Sequence, residues 1–126
     1  MWEDVGVIRD RAGLDRALIS LDEIEAELLA TGLPDTGRVF NLTWHDWLNL
    51  HSLVEVSRVI TLAARARENS RGAHFREDFP EPGDLATSTF TVARHVANRI
   101  EIAHEPVRFT IVRPGETILK DEVAAE

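Results

Sequence analysis

The stretch ENSRGAHFREDFP, from Glu68 to Pro80, gathers the side chains of this sequence best suited to chemistry or recognition. Arg71, His74, Arg76 and Asp78 alternate there with Phe75 and Phe79. With Arg65 and Arg67 just upstream, four guanidiniums (65, 67, 71 and 76) collect at one place in a chain whose formal net charge is -8. A solvated loop has no need of two phenylalanines, and a core does not accept such charges unless they are paired. Two readings fit. In one, the cations sit at a helix C-terminus and complement its exposed carbonyls and dipole. In the other, the arginine forks meet carboxylates or carbonyls of a neighbouring surface with the phenylalanines as apolar anchors, so that Arg71, His74, Phe75, Arg76, Asp78 and Phe79 form an interdomain docking site.

Other kinds of chemistry find little support. The seven glycines, at positions 6, 13, 32, 37, 72, 83 and 115, never take the spacing of a dinucleotide fingerprint or a phosphate loop, so no built-in nucleotide cradle is expected. There is no Gly-x-Ser-x-Gly elbow, no His-Glu-x-x-His helix and no cysteine. A thiolate nucleophile, a disulfide and a cysteine-ligated metal are thereby excluded within the chain. His51 and Glu55 lie four apart and could share a metal, but a helical pair at that spacing is more commonly a surface hydrogen bond. His45 reads as a first-turn polar contact, and His95 and His104 as sheet-surface residues. No catalytic, cofactor-binding or metal-binding residue is assigned.

The elements that must hold the arginine segment are legible from periodicity. Leu14, Leu18, Leu21, Ile24 and Leu28 recur at helical steps among acidic residues, predicting a helix from Ala12 to Ala30 that stops at Gly32 and Pro34. A second helix is expected to begin at Thr43 as cap, with Asp46 reaching back and Leu42 and Trp47 as staple. Its stripe is Trp47, Leu50, Val54, Ser57, Thr61 and Ala64, widened by Leu53, Ile60 and Ala63, and Gly72 is expected to end it. Beyond Pro80, alternating Thr, Val, Ile and Phe predict a hairpin of 87–95 and 99–104 turning at Val96, Ala97 and Asn98, with Pro106 as limit.

One domain over 1–126 is expected, divided into a helical part (1–72), a turn segment (73–86), a hairpin region (87–113) and a frayed tail (114–126). The fold class is mainly α: antiparallel helices in a spectrin-repeat-like bundle, then a short β-hairpin and extended C-terminal region. The acidic balance argues against nucleic acid or an anionic membrane as partner. No secretory signal or membrane-spanning run is present, so a cytoplasmic chain is expected. Without that signal, the acceptor motif Asn41-Leu42-Thr43 carries no meaning.

Three segments carry a family resemblance. SRGAHFREDFP resembles the Ser-Arg-Gly-x-His-x-Arg-x-Asp segment near the C-terminus of succinate dehydrogenase and fumarate reductase flavoprotein subunits, shared more loosely by L-aspartate oxidase. DTGRVFN (35–41) resembles that family's Asp-Thr-Ser-x-x-Phe-Asn turn, and MWEDVGVIRD is similar to its helix end leading to an arginine. Asn69 stands where the family usually has glutamate. The resemblance implies a C-terminal structural domain of an FAD-dependent dicarboxylate oxidoreductase of the electron-transport type, inactive in isolation. No cofactor lies in this chain; FAD is implied in a flavin-binding domain of the parent flavoprotein. That domain is the expected partner, and the iron-sulfur subunit of such complexes is a further one. The chain is expected to be a piece of a longer flavoprotein. The alternative is a free-standing, non-catalytic interaction module that binds a flavoprotein or another protein through the same surface.

Overall fold

In a computed structural model of the chain, residues 1–97 and 99–117 are described. Six elements follow in order: β1 (Ile8–Arg9), α1 (Arg11–Thr31), α2 (Leu42–Ala66), β2 (Phe75–Arg76), β3 (Thr89–Val96) and β4 (Arg99–Pro106). The tail from residue 118 on lies outside the described residues.

α1 begins where Asp10, in extended conformation, accepts the amide of Gly13 at 2.6 Å. This satisfies one of the amides that a helix start leaves orphaned. It ends at Gly32, whose φ of 60° suits a residue without Cβ and whose amide closes on Leu28 O at 3.2 Å. Leu14, Ala17 and Leu21 are buried and Leu28 is half-buried, but Ile24 is half exposed, so the apolar stripe packs most tightly over the first three turns.

α2 starts two residues earlier than its predicted Thr43 cap. Asn41 supplies the cap, taking the amide of Trp44 on its side-chain oxygen at 2.8 Å, while its Nδ2 donates to Asp35 O and Gly37 O at 2.8 and 2.7 Å. One side chain thus fixes both the connector and the helix start, and a threonine hydroxyl, with a single proton, could not serve both carbonyls. The helix also ends sooner than expected, at Ala66, with Arg67 already extended. Gly72 does have positive φ, 58°, but in a different place. It is the first central residue of the tight turn in which Arg71 and His74 exchange both backbone hydrogen bonds, at 2.9 and 3.1 Å. Positive φ at that position alone is the pattern of a type II′ turn.

The two helices run antiparallel. The Trp47 indole donates to Leu28 O at 3.2 Å, Arg58 pairs with Asp22 and Glu25, and Arg65 reaches Asp15, so later residues of α2 meet earlier residues of α1. The shared core is small: Val5, Leu14, Ala17 and Ala64, with Leu21 and Val54 also buried. Thr61 is fully buried among them and returns its hydroxyl to Ser57 O at 2.8 Å, so its own polar group is satisfied. The expected widening of the α2 stripe does not pack: Leu53 and Ile60 face outward.

β3 and β4 pair antiparallel from Thr89↔Pro106 to Val96↔Arg99, with Ala97 at φ 46° in the turn, and the hairpin lies against α2. The element absent from the sequence reading is a parallel pair, Ile8↔Phe75 and Arg9↔Arg76, which stitches the N-terminus to the arginine segment.

Candidate functional site

The site is the segment 67–79 together with the β1 residue Arg9. Ser70 sets its curvature. The Ser70 hydroxyl contacts Arg76 O and Phe79 O at 3.3 and 2.8 Å and takes the Arg76 amide at 2.8 Å. With the Gly72 turn and the parallel β1–β2 pair, this folds the segment back beneath the end of α2.

Arg76 is 0% exposed. Its Nη1 donates to three main-chain oxygens at that helix end, Ala64 O, Arg65 O and Arg67 O, at 3.0, 3.2 and 2.9 Å. Its Nε and Nη2 grip both oxygens of Asp78 at 2.7 and 2.6 Å. The Phe79 ring lies 5.0 Å from the guanidinium carbon. A buried guanidinium is tolerable only when its charge and donors are met, and here all three nitrogens are. The bonds to Asp78 raise the Arg76 pKa and hold the Asp78 carboxyl below its usual range. Asp78 also accepts the Arg11 amide at 3.1 Å, tying the start of α1 to the same knot. Of the two sequence readings, Arg76 therefore follows the first: it caps a helix C-terminus, from inside.

His74 is 7% exposed, and its Nδ1 faces Arg9 Nη1 at 3.0 Å. Since a guanidinium can only donate, Nδ1 accepts, and the proton of the neutral ring rests on Nε2. Nε2 is buried without a hydrogen bond of normal geometry among the described residues. Burial first, then repulsion from Arg67 and Arg9, pulls the His74 pKa from 6.5 to about 4; the Arg67 main chain favours the proton but is outweighed. The ring is thus a neutral wedge between cations.

The remaining expected site residues divide. Arg71 is spent on the following loop, donating to Pro82 O, Asp84 O and Ser88 Oγ at 2.5, 2.9 and 2.8 Å. Phe75 stands 38% exposed on β2, while Phe79 lies half-buried under Arg76. Arg65 contacts Asp15 at 2.6 Å as an ion pair across the helices, at an angle outside hydrogen-bond geometry. Among the described residues the Arg67 side chain makes one hydrogen bond, from Nη2 to Asn69 Oδ1 at 3.1 Å. Asn69, where the family usually has glutamate, therefore takes the Arg67 fork as a neutral acceptor. Arg9 is the participant that sequence reading missed: its Nε holds Gly6 O at 2.7 Å and its Nη1 holds His74. A lone arginine in a two-residue strand has no periodic signature, and only the motif's helix end leading to an arginine hinted at it.

The described residues do not fit a flavin. At each long helix one N-terminal amide is taken by the chain's own Asp10 or Asn41, and at α1 the capping group is itself a carboxylate, which disfavours a phosphate there. A Cβ at Gly13 would meet Asp10 Oδ1 at 3.0 Å, Asp4 Oδ1 at 3.3 Å and Arg16 Nη2 at 3.4 Å, so the space beside it is filled by the chain's own side chains. Among the described residues no group of His, Asp and Glu is arranged to hold a metal ion. His51, weighed as a partner for Glu55, instead stacks on Trp47, ring centroids 5.5 Å apart.

The family described as fumarate reductase flavoprotein C-term matches residues 1–119. The chain is 38% identical over 92 residues to the succinate dehydrogenase flavoprotein subunit of Coxiella burnetii, covering 73% of this chain and 16% of that protein. It is 31% identical over 114 residues to the fumarate reductase flavoprotein subunit of Mycobacterium tuberculosis, covering 90% and 20%. Among solved structures, the FrdA chain of E. coli quinol fumarate reductase superposes with a TM-score of 0.82 at 26% identity, over 92% of this chain and 20% of that one. The Mycobacterium smegmatis Sdh1 complex gives 0.76 at 30% identity, over 90% and 20%. This chain spans about a fifth or less of the length of these relatives. On the motif, the fold and these matches, it belongs to the fumarate reductase and succinate dehydrogenase flavoprotein C-terminal domain family.

Proposed function

We propose that this chain is the structural C-terminal domain of an FAD-dependent dicarboxylate oxidoreductase of the succinate dehydrogenase/fumarate reductase type, docking on the flavin-binding domain and carrying no part of the active site. The observation behind this reading is the rigid presentation of segment 70–79. Its shape is held by internal bonds, with Arg71 and Arg76 spent inside it, yet Phe75 on it stands exposed, and the half-buried Arg9 and Arg67 of the same site keep nitrogens without a protein partner among the described residues. Preorganised apolar and arginine groups of this kind suit an interface centre. FAD belongs to the flavin-binding domain, an iron-sulfur subunit is a further partner of the assembly, and any membrane association runs through partner subunits. Among the described residues no helix is long and apolar enough to cross a membrane.

The test is to mix the chain with the flavin-binding portion of a related fumarate reductase flavoprotein and follow flavin absorbance by sedimentation. Flavin is expected to sediment with the chain, while the chain alone holds no FAD and turns over neither succinate nor fumarate. A yellow isolated chain with stoichiometric FAD, or absence of co-sedimentation, would overturn the reading.

A further inference from the structure

Of the six arginines that are buried or half-buried among the described residues, the acidic chain neutralises three with its own carboxylates. Arg58 pairs with Asp22 and Glu25, Arg65 with Asp15, and Arg76 with Asp78. Arg9, Arg67 and Arg71 are half-buried and have no carboxylate partner among the described residues, but Arg71 spends all three nitrogens on Pro82 O, Ser88 Oγ and Asp84 O, whereas Arg9 and Arg67 do not. Their unused nitrogens are Nη2 of Arg9 and Nε and Nη1 of Arg67. The only side-chain acceptors they hold are uncharged, the His74 ring and the Asn69 amide. Burial and mutual repulsion lower the pKa of both guanidiniums, Arg71 adding to the effect on Arg67 and Arg76 to that on Arg9. Two partly desolvated cations at one knot, Arg9 bonded to His74 and Arg67 with its carbonyl on Arg76, neither with a carboxylate partner among the described residues, make a site suited to an anion supplied from outside.

Resting on the docking reading above, we propose that Arg9 and Arg67, spaced by the neutral His74 ring, form a receptor for one carboxylate side chain of the flavin-binding domain. Two planar donor forks suit a carboxylate's two oxygens. Neutral His74 serves by accepting from Arg9 and adding no third charge between the forks. Arg76, with Asp78 on it, fixes the floor and takes no part in the contact. The net charge of -8 supplies specificity of place, since elsewhere the surface repels an acidic group.

The receptor is read first on the chain alone, by the arginine Nε–Hε NMR signals at neutral pH while acetate replaces chloride at constant ionic strength. Arg9 and Arg67 are expected to move together and saturably, with Arg94, already paired to Glu105, as unmoved control. Arg67→Gln should abolish the saturable shift of Arg9; this variant costs the fold only the bond to Asn69. Linear, equal shifts of all arginines would overturn the proposal. So would inorganic phosphate binding about tenfold tighter than acetate, which would make the pair a phosphate site. In the sedimentation experiment, Arg67→Gln should weaken association by about tenfold or more, and Arg67→Lys should restore part of it. Association that is unchanged in Arg67→Gln and indifferent to salt would sink the carboxylate receptor and leave docking intact. Saturable acetate binding without any association would do the opposite.

Discussion

Arg76 shows how one side chain can serve where a helix end would otherwise meet water. Its removal would leave three carbonyl oxygens at the helix end without their donor, while the open carboxylate of Asp78 keeps water and the Arg11 amide. Arg76→Met should therefore cost about 1–3 kcal/mol, read as a lower urea midpoint of the isolated chain; an unmoved midpoint would return Arg76 to an external role. His74 gives a pH signature. Its folded pKa of about 4 lies below the 6.5 of a free imidazole, so between these values the unfolded chain binds the extra proton. Stability is thus fully present above about pH 6.5 and declines as pH falls toward 4. His74→Gln should flatten that slope by up to one proton, and an unchanged slope would mean that the ring is not held neutral. Gly72→Val should cost roughly 1 kcal/mol or more because of its positive φ, with Gly72→Asn milder. The penalty was expected from a helix cap and instead belongs to a turn. The residue types of the site were legible in Ser-Arg-Gly-x-His-x-Arg-x-Asp, but which arginine points inward was not, because that depends on the strand partner of Arg76.

At the level of elements, the long helices were readable because their apolar spacing and stop signals are local. The α1 stop at Gly32 was found where expected. The α2 cap was misplaced because Asn41 and Thr43 are both good caps, and the choice is made by Asn41 also reaching Asp35 and Gly37 across the connector. The hairpin emerged nearly as predicted, since a two-residue turn between alternating strands is a short-range property. Ala97 takes φ 46° in that turn, where a Cβ is costly. Ala97→Gly is expected to stabilise the chain by on the order of 0.5 kcal/mol, the relief of strain less the entropy of glycine. A lower thermal midpoint would show that the turn does not strain alanine. The parallel β1–β2 pair was invisible, two residues on each side being too few for any pattern.

For the whole molecule, the core is modest and much apolar surface remains open. At the far end of the helix pair, Phe40 is 97% exposed beside Val39, Leu42 and Trp44, around an open groove of about 730 Å³. Such exposure is unusual for a lone soluble domain and accords with a chain that completes its surface against a larger body. Its sequence pattern could show that the helices are amphipathic, but not that Leu53 and Ile60 would be left outside, since this depends on how many neighbours a helix has. Mixed with the flavin-binding portion, the chain should show slower amide exchange along 67–79; exchange unaltered by mixing would place the interface elsewhere.

The stitch between Arg9 and the His74–Arg76 strand joins residues about 65 positions apart, whereas the helix pair closes over a short connector and the hairpin over two residues. Closing the longest loop is entropically the most demanding step, so local units should assemble first and the stitch last. Side chains of the knot would then be unformed in the folding transition state. Ser70→Ala should quicken unfolding while leaving the refolding rate nearly constant; a slowed refolding limb in the chevron would show that the knot nucleates the fold. The proposed docking face is, on this view, the final part of the chain to acquire its shape, so a partner would meet it only on a molecule whose folding is otherwise complete.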